Sequence, residues 1–309
     1  MKYYPEGILY DTAANRAALH SRAALAEAME KGQILEAKAG LCTESHDLIV
    51  RLPGGEGVIP REEAAAGIKE GTVRDIAILS RVGRPVAFVI DRLEGEEGSL
   101  RAVLSRRKAQ ERCLRDYIGP LIPGDVIPAR VTRLEGFGAF LDIGCGLPAL
   151  MPIDMMSVSR ISHPSQRFAP GQLILAAVSR HENGRVTLTH KELLGSWEEN
   201  AARFRPGETV RGIVRSVEEY GIFVELTPNL AGLAEKKPGI QPGMAVSVFI
   251  KSILPERMKV KLVIIEGFPD DDAPIPFDYR FREGDHLSRW VYSPEGCQKR
   301  VETVFDEAD

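Results

Sequence analysis

The stretch PGDVIPARVTRLEGFGAFLDI, Pro123 to Ile143, returns 83 residues later as PGETVRGIVRSVEEYGIFVEL, Pro206 to Leu226, without a gap. Pro123 meets Pro206, Gly124 meets Gly207, Val131 meets Val214, Gly138 meets Gly221 and Phe140 meets Phe223, while Phe137 meets Tyr220. Successive side chains of a strand point to opposite faces. On that reading Ala139, Leu141 and Ile143 form one apolar face, and Gly138, Phe140 and Asp142 form the other. The second copy repeats the parity, with Ile222, Val224 and Leu226 inside and Phe223 beside Glu225. A ring that shares its face with a carboxylate is expected on the solvent side. Phe137 and Tyr220 have the parity of the apolar face, and reach solvent only if Gly138 and Gly221 permit a bulge.

Working outward, each copy continues with a Pro-Gly turn, a strand, a polar turn and a second strand. The segments are APGQLILAAVSRHENGRVTLTHKEL from Ala169 and QPGMAVSVFIKSILPERMKVKL from Gln241. A diverged copy lies upstream, opening at KGQILEAKAGLCTESHDLIVRLPGGEGVIP from Lys31 and closing at VGRPVAFVIDRLEGEEGSLRAVLSRRKA from Val82. There Leu48, Val50 and Leu52 form the apolar face. Helical connectors are expected at SRRKAQERCLRDYI from Ser105 and THKELLGSWEENAARF from Thr189. A further helix opens the chain, with Asp11 as cap and Gly32 as stop. At the other end, SPEG (Ser293–Gly296) suits a turn between two alternating segments. Trp290 and Tyr292 share a face there and are expected to pack on the third unit.

Composition bounds the function. The 309 residues carry a net charge of −4 and 44% apolar residues, an ordinary globular balance. Residues 267–309 hold 5 basic and 11 acidic side chains, a net of −6, whereas 205–266 hold 9 and 7, a net of +2. The acidity thus sits at the C-terminal end, and nucleic acid is permitted rather than demanded. There is no long apolar run and no signal-like N-terminus, so no membrane association is expected. The four cysteines (Cys42, Cys113, Cys145 and Cys297) are scattered, without zinc spacing. Together these predict a reducing cytoplasm. No phosphate loop, GxSxG or HExxH motif appears, so no catalytic residue, cofactor or metal is expected. Asp270 to Asp272, between Pro269 and Pro274, read as a solvated linker.

Repeated five-stranded units of this size fit an OB-like barrel, whose closure removes sheet edges. The motif Gly-x-x-x-x-(Gly/Ala)-x-Val, followed by aromatic-Gly-x-Phe-(Val/Leu)-(Asp/Glu)-(Leu/Ile), resembles the S-one RNA-binding domain, the OB-fold repeat of bacterial ribosomal protein S-one. Residues 119–194 and 205–264 match well and 31–106 more loosely, while 1–30 and 267–309 are not covered. The expected fold is mainly β: three tandem OB-fold barrels joined by helical linkers, an N-terminal helix and a small C-terminal hairpin. The expected boundaries are 1–30, 31–118, 119–204, 205–266 and 267–309.

The resemblance implies a non-catalytic binder of single-stranded RNA such as mRNA, a monomer acting in translation or mRNA handling. Bases would stack on Phe137 and Phe140 in the second unit and on Tyr220 and Phe223 in the third. Arg101, Arg185 and Lys259 match the family's basic residue at the start of the last strand, where a cation meets phosphate or base. Each also reads as a plain solvated hairpin charge. Arg130 and Arg215 extend the basic track along the first strands, while Arg180 and His181 read as solvated turn residues. The family's histidine is replaced by Pro60, Pro152 and Glu235, and its aspartate by Arg180 and Leu254, which leaves stacking to carry more of the binding. The first unit has His46 and Ile49 in place of the rings and is expected to dock a protein, such as the small ribosomal subunit. The competing reading is a protein-interaction scaffold whose rings anchor interfaces.

Overall fold

The structure, a computed structural model, describes residues 2–53, 55–95, 100–182, 184–268 and 275–306. Asp270 to Asp272 therefore lie outside the described residues.

Three closed five-stranded barrels follow one another. The first holds β1 (Leu35–Cys42), β2 (Leu48–Leu52), β3 (Gly55–Ile59), β4 (Pro85–Glu94) and β5 (Leu100–Ser105). The second holds β6 (Val126–Glu135), β7 (Gly138–Asp142), β8 (Pro148–Pro152), β9 (Leu173–Glu182) and β10 (Arg185–Thr189). The third holds β11 (Thr209–Glu218), β12 (Gly221–Thr227), β13 (Leu230–Ala234), β14 (Ala245–Leu254) and β15 (Lys259–Phe268). Each runs the same circuit, first strand to second to third, then fifth, then fourth. In each, the third and fifth strands pair in parallel. The alternation read from the sequence produces this. Along β15, Val260, Leu262 and Ile264 are buried, while Lys259, Lys261, Val263 and Ile265 face out. Each inward aliphatic side chain contributes roughly 1.5–3 kcal/mol on burial.

The chain forms two compact units, one of 1–121 with 142–148 and one of 122–141 with 149–309. In the first, Leu19, Leu25 and Ala28 of the N-terminal helices join the core of Leu35, Val50, Phe88 and Leu104. The expected single opening helix is two: α1 (Ala13–Leu19), capped by Thr12 rather than Asp11, and α2 (Arg22–Glu30), capped by Ser21. A second hydroxyl able to accept an N–H restarts the helix. A short α3 (Ile76–Leu79) lies between β3 and β4, and the Ser105 connector is helical as expected, with α4 (Arg106–Cys113) running into a π turn over Leu114–Ile118. The Thr189 connector is not one helix. A 3₁₀ turn at Lys191–Leu194 stops at Gly195, whose φ of 81° suits glycine, and α5 (Trp197–Ala201) starts from the Ser196 capping box.

In the second unit, the C-terminal segment pairs β16 (Arg289–Val291) with β17 (Glu302–Val304). Trp290 and Tyr292 are buried in the third barrel's core cluster, where the sequence placed them.

Candidate nucleic-acid interface

The two ring pairs have nearly the same geometry. Phe137 and Phe140 lie 6.0 Å apart between centroids at an interplanar angle of 90°, and Tyr220 and Phe223 lie 6.0 Å apart at 87°. Edge-to-face packing is a favoured aromatic arrangement. Phe137 and Tyr220 are 58% and 70% exposed, whereas Phe140 and Phe223 are half-buried. Each pair therefore presents one freely exposed ring braced by a second.

The local cause differs from the parity argument in two respects. Phe137 and Tyr220 sit in the hairpin turns before β7 and β12, so strand alternation does not govern them. The glycine that follows each permits close strand approach rather than a bulge. A Cβ on Gly138 would lie 2.4 Å from the Met151 carbonyl oxygen, and one on Gly221 would lie 2.6 Å from that of Ala234. The acids, moreover, do not mark a wet face. Asp142 is 4% exposed and accepts backbone N–H bonds from Glu6, Gly144 and Gly146 at 2.7, 2.9 and 2.9 Å. Glu225 is fully buried between Arg167 (2.7 and 2.8 Å) and Arg215 (2.8 and 3.0 Å). Burial works to raise the Glu225 carboxyl, but the two guanidiniums hold it below the usual range.

That pairing removes Arg215 from the basic track, because its side chain is 8% exposed and both its bonds go to Glu225. Arg130 is half-buried, and its Nη1 donates to the Gly171 carbonyl at 2.8 Å. The residues at the start of the last strand are exposed in all three barrels. Lys261 pairs in register with Leu233, Thr187 with Leu150 and Val103 with Val58. Lys259, Arg185 and Arg101 each stand two residues earlier, on one equivalent rung. In the first barrel, Ile49 pairs with Val58 as Phe223 pairs with Leu233, so no ring accompanies Arg101. Glu56 and Glu94 are its register partners instead.

In the third barrel, rings and cations share one groove of about 570 Å³, lined by Tyr220, Phe223, Leu233, Lys251, Lys259 and Lys261 among others. Lys251 and Lys261 escaped the sequence reading, although the Lys-Val-Lys spacing of 259–261 put Lys261 on Lys259's face. Glu235, at the position of the family's histidine, also lines it. In the second barrel the basic residue stands on the equivalent rung. Arg185 lines a separate groove of about 500 Å³ with Arg180, Glu182 and Thr187, and Arg180 pairs with Glu182 at 3.5 Å. Beside the rings of the second barrel stands a further cation, also missed: the exposed Arg133 guanidinium lies 5.4 Å from the Phe140 centroid and pairs with Glu135 at 2.6 Å. Among the described residues no cluster of three or more His, Cys, Asp or Glu is placed to hold a metal, and no helix is long and apolar enough to cross a membrane.

Closed five-stranded barrels on this circuit are tandem OB folds. Residues 121–191 match the family described as S1 RNA binding domain. The chain is 28% identical over 267 residues to the small ribosomal subunit protein bS1 of Staphylococcus aureus, covering 81% of this chain and 66% of that protein. It is 28% identical over 233 residues to the bS1 of Rhizobium meliloti, covering 71% and 38%. The chain thus spans just under two thirds of the first of these relatives and far less of the second. A solved multidomain protein with nucleic acid binding domains from Streptococcus pneumoniae aligns over 76% of this chain and 74% of its own, at 14% identity and a TM-score of 0.25. The chain is thus similar to S-one proteins in sequence, with its second barrel matching the S1 RNA binding domain, and all three of its barrels close on one circuit.

Proposed function

We propose that the chain is a non-catalytic binder of single-stranded RNA, acting in translation or mRNA handling in the cytoplasm. The observation that carries this is the repeated ring pair, 6.0 Å apart and near-perpendicular in both the second and third barrels. An exposed, braced ring offers a flat face to an unstacked base, a contact worth roughly 1–3 kcal/mol. Lys251, Lys259 and Lys261 beside Tyr220, and Arg133 beside Phe140, supply the charge for phosphate. The binding modules are the barrels within 119–204 and 205–266. The barrel within 31–118, with Ile49 where the others carry phenylalanine, serves as a docking module. The small ribosomal subunit is its proposed partner, since the relatives are small ribosomal subunit proteins.

Titration with an unstructured single strand and with duplex RNA of equal length tests the reading. Binding to the single strand at micromolar concentration or better is expected, with weaker binding to the duplex, whose bases are already stacked and hidden. Equal affinity for both would make binding purely electrostatic. Absence of binding to either would leave the scaffold reading, which the first barrel favours by carrying Ile49 in place of the outward phenylalanine.

A further inference from the structure

Residues 275–306 lie beyond the three barrels, yet they are packed into two of them. Phe277 stands against His190 and Phe168 of the second-barrel region, at centroid distances of 4.6 and 5.6 Å. The Tyr279 hydroxyl meets His190 Nε2 at 3.0 Å. The backbone then runs beside β6: Gly284 N donates to Val126 O, Val126 N to Asp285 O, and Leu287 N to Gly124 O, each at 2.9 Å. A few residues on, the chain enters the third barrel's core cluster. Trp290 and Tyr292 are each 6% exposed there, and the Tyr292 hydroxyl donates to Asn229 O at 2.6 Å. The segment finally returns, burying Phe305 with Val126, Ala177 and Leu193.

The second and third barrels also meet directly. Arg167, between β8 and β9, reaches Glu225 of β12. Ser159 N donates to Pro228 O at 3.4 Å. Neighbouring domains joined by a linker normally move relative to one another unless a large apolar interface forbids it. Here a separate piece of chain, crossing from one barrel to the other and back, supplies that interface.

We propose that residues 275–306 are a strap that fuses the second and third barrels into one platform, whose partner is a single strand of RNA long enough to reach both ring pairs at once. This rests on the RNA reading above. The strap fixes the separation between the pairs, so a strand held at one meets the other at high effective concentration. No interdomain freedom is then lost on binding.

The test uses the full chain. In a Cys42→Ser, Cys297→Ser background, which removes the native thiols that solvent reaches, spin labels at exposed Glu182 and Glu256 (Glu182→Cys, Glu256→Cys) report the distance between the two barrels, and affinities are read on the unlabelled protein. Affinities are measured for oligouridylates too short and long enough to span both. A single narrow distance is expected, with a long-strand advantage of about 100-fold or more. Phe277→Ala with Tyr279→Ala loosens the strap on the second barrel while leaving Trp290 and Tyr292 in place. It should broaden the distance and reduce the long-strand advantage at least tenfold, with short-strand affinity unchanged. A broad distance in the parent overturns the proposal whatever the variant does. So does a folded variant that keeps the parent's long-strand affinity, since the segment then only stabilises its neighbours. A parent with a narrow distance that binds neither strand sinks the RNA reading, and the platform's partner with it.

Discussion

Replacing Tyr220 or Phe137 by alanine removes a ring that packs little and faces solvent. The pair Phe137→Ala with Tyr220→Ala should therefore cost single-strand affinity by roughly 1–3 kcal/mol per ring, with the melting temperature nearly unchanged. Titration alongside thermal unfolding checks both halves. Phe140→Ala with Phe223→Ala should lower both, because those rings are half-buried. Each ring pair should matter more than Arg185→Ala with Lys259→Ala. Arg215→Ala should behave differently again. It leaves a buried carboxylate with one cation instead of two, and breaking such a pair costs about 3–5 kcal/mol. Urea unfolding should show that loss. A stable Arg215→Ala protein with impaired RNA binding would return Arg215 to the basic track. At this scale the sequence conveyed which residue types recur, but not where parity stops applying. Alternation describes strands, and the two most exposed rings lie in turns. Nor does a local pattern announce that Glu225 is neutralised by Arg167, 58 residues away.

The hairpins that carry the rings depend on glycine for a steric reason. Gly138→Ala and Gly221→Ala would each drive a methyl group into a backbone carbonyl oxygen of the neighbouring strand, at 2.4 and 2.6 Å. Backbone cannot step aside as a flexible side chain can. Each substitution should destabilise by about 1–3 kcal/mol and displace the ring beside it. Paired readouts, denaturant midpoint and single-strand affinity, should fall together. An alanine variant with the parent's stability would mean that the strands have room to part. The barrel strands were legible because a two-residue apolar period, returning in the same parity 83 residues later, is the mark of half-buried strands in a repeated unit. The connectors were less so. Gly195 and the caps Thr12 and Ser21 interrupt segments whose composition reads as continuous helix. Composition favours a helix without fixing its ends.

For the molecule as a whole, the repeat foretold three barrels, whereas the role of the last segment depends on contacts that no local pattern encodes. Salt dependence should be shallow, because only a few cations stand beside the rings. About three or four phosphate contacts give a log–log slope of roughly −2 to −3 for a single strand. A slope near zero, or several times steeper, would contradict that balance of stacking and charge.

The two compact units should also respond to pH in opposite directions. In the first, burial and then the Glu6 charge push Asp142 up to about 7. Glu36, whose Oε2 accepts from Gly7 and Tyr10 at 2.9 Å, is likewise pushed up to about 7, chiefly by burial. A carboxyl raised in the folded state contributes stability that is full below its unfolded value, about 4. That contribution disappears as the pH climbs through 7. Glu6 acts oppositely, because Arg106 and Arg81 hold it low against its burial, but its window lies below the ordinary carboxylate value. In the second unit, burial lowers His190 to about 3. Its contribution is present above roughly 6.5 and is lost as the pH falls, because the unfolded imidazole then takes up a proton that the folded one refuses. His286, raised by Asp125 and Asp306, works the other way, but it is a third exposed and solvent screens it. Acidification from pH 7.5 to 5.5 should therefore raise the melting transition of the first unit and lower that of the second. Glu36→Gln with Asp142→Asn should flatten the first shift and leave the second in place. Calorimetry at the two pH values decides it: transitions that move together, or a first transition still pH-sensitive in the amide variant, would show that these buried groups do not set the profile.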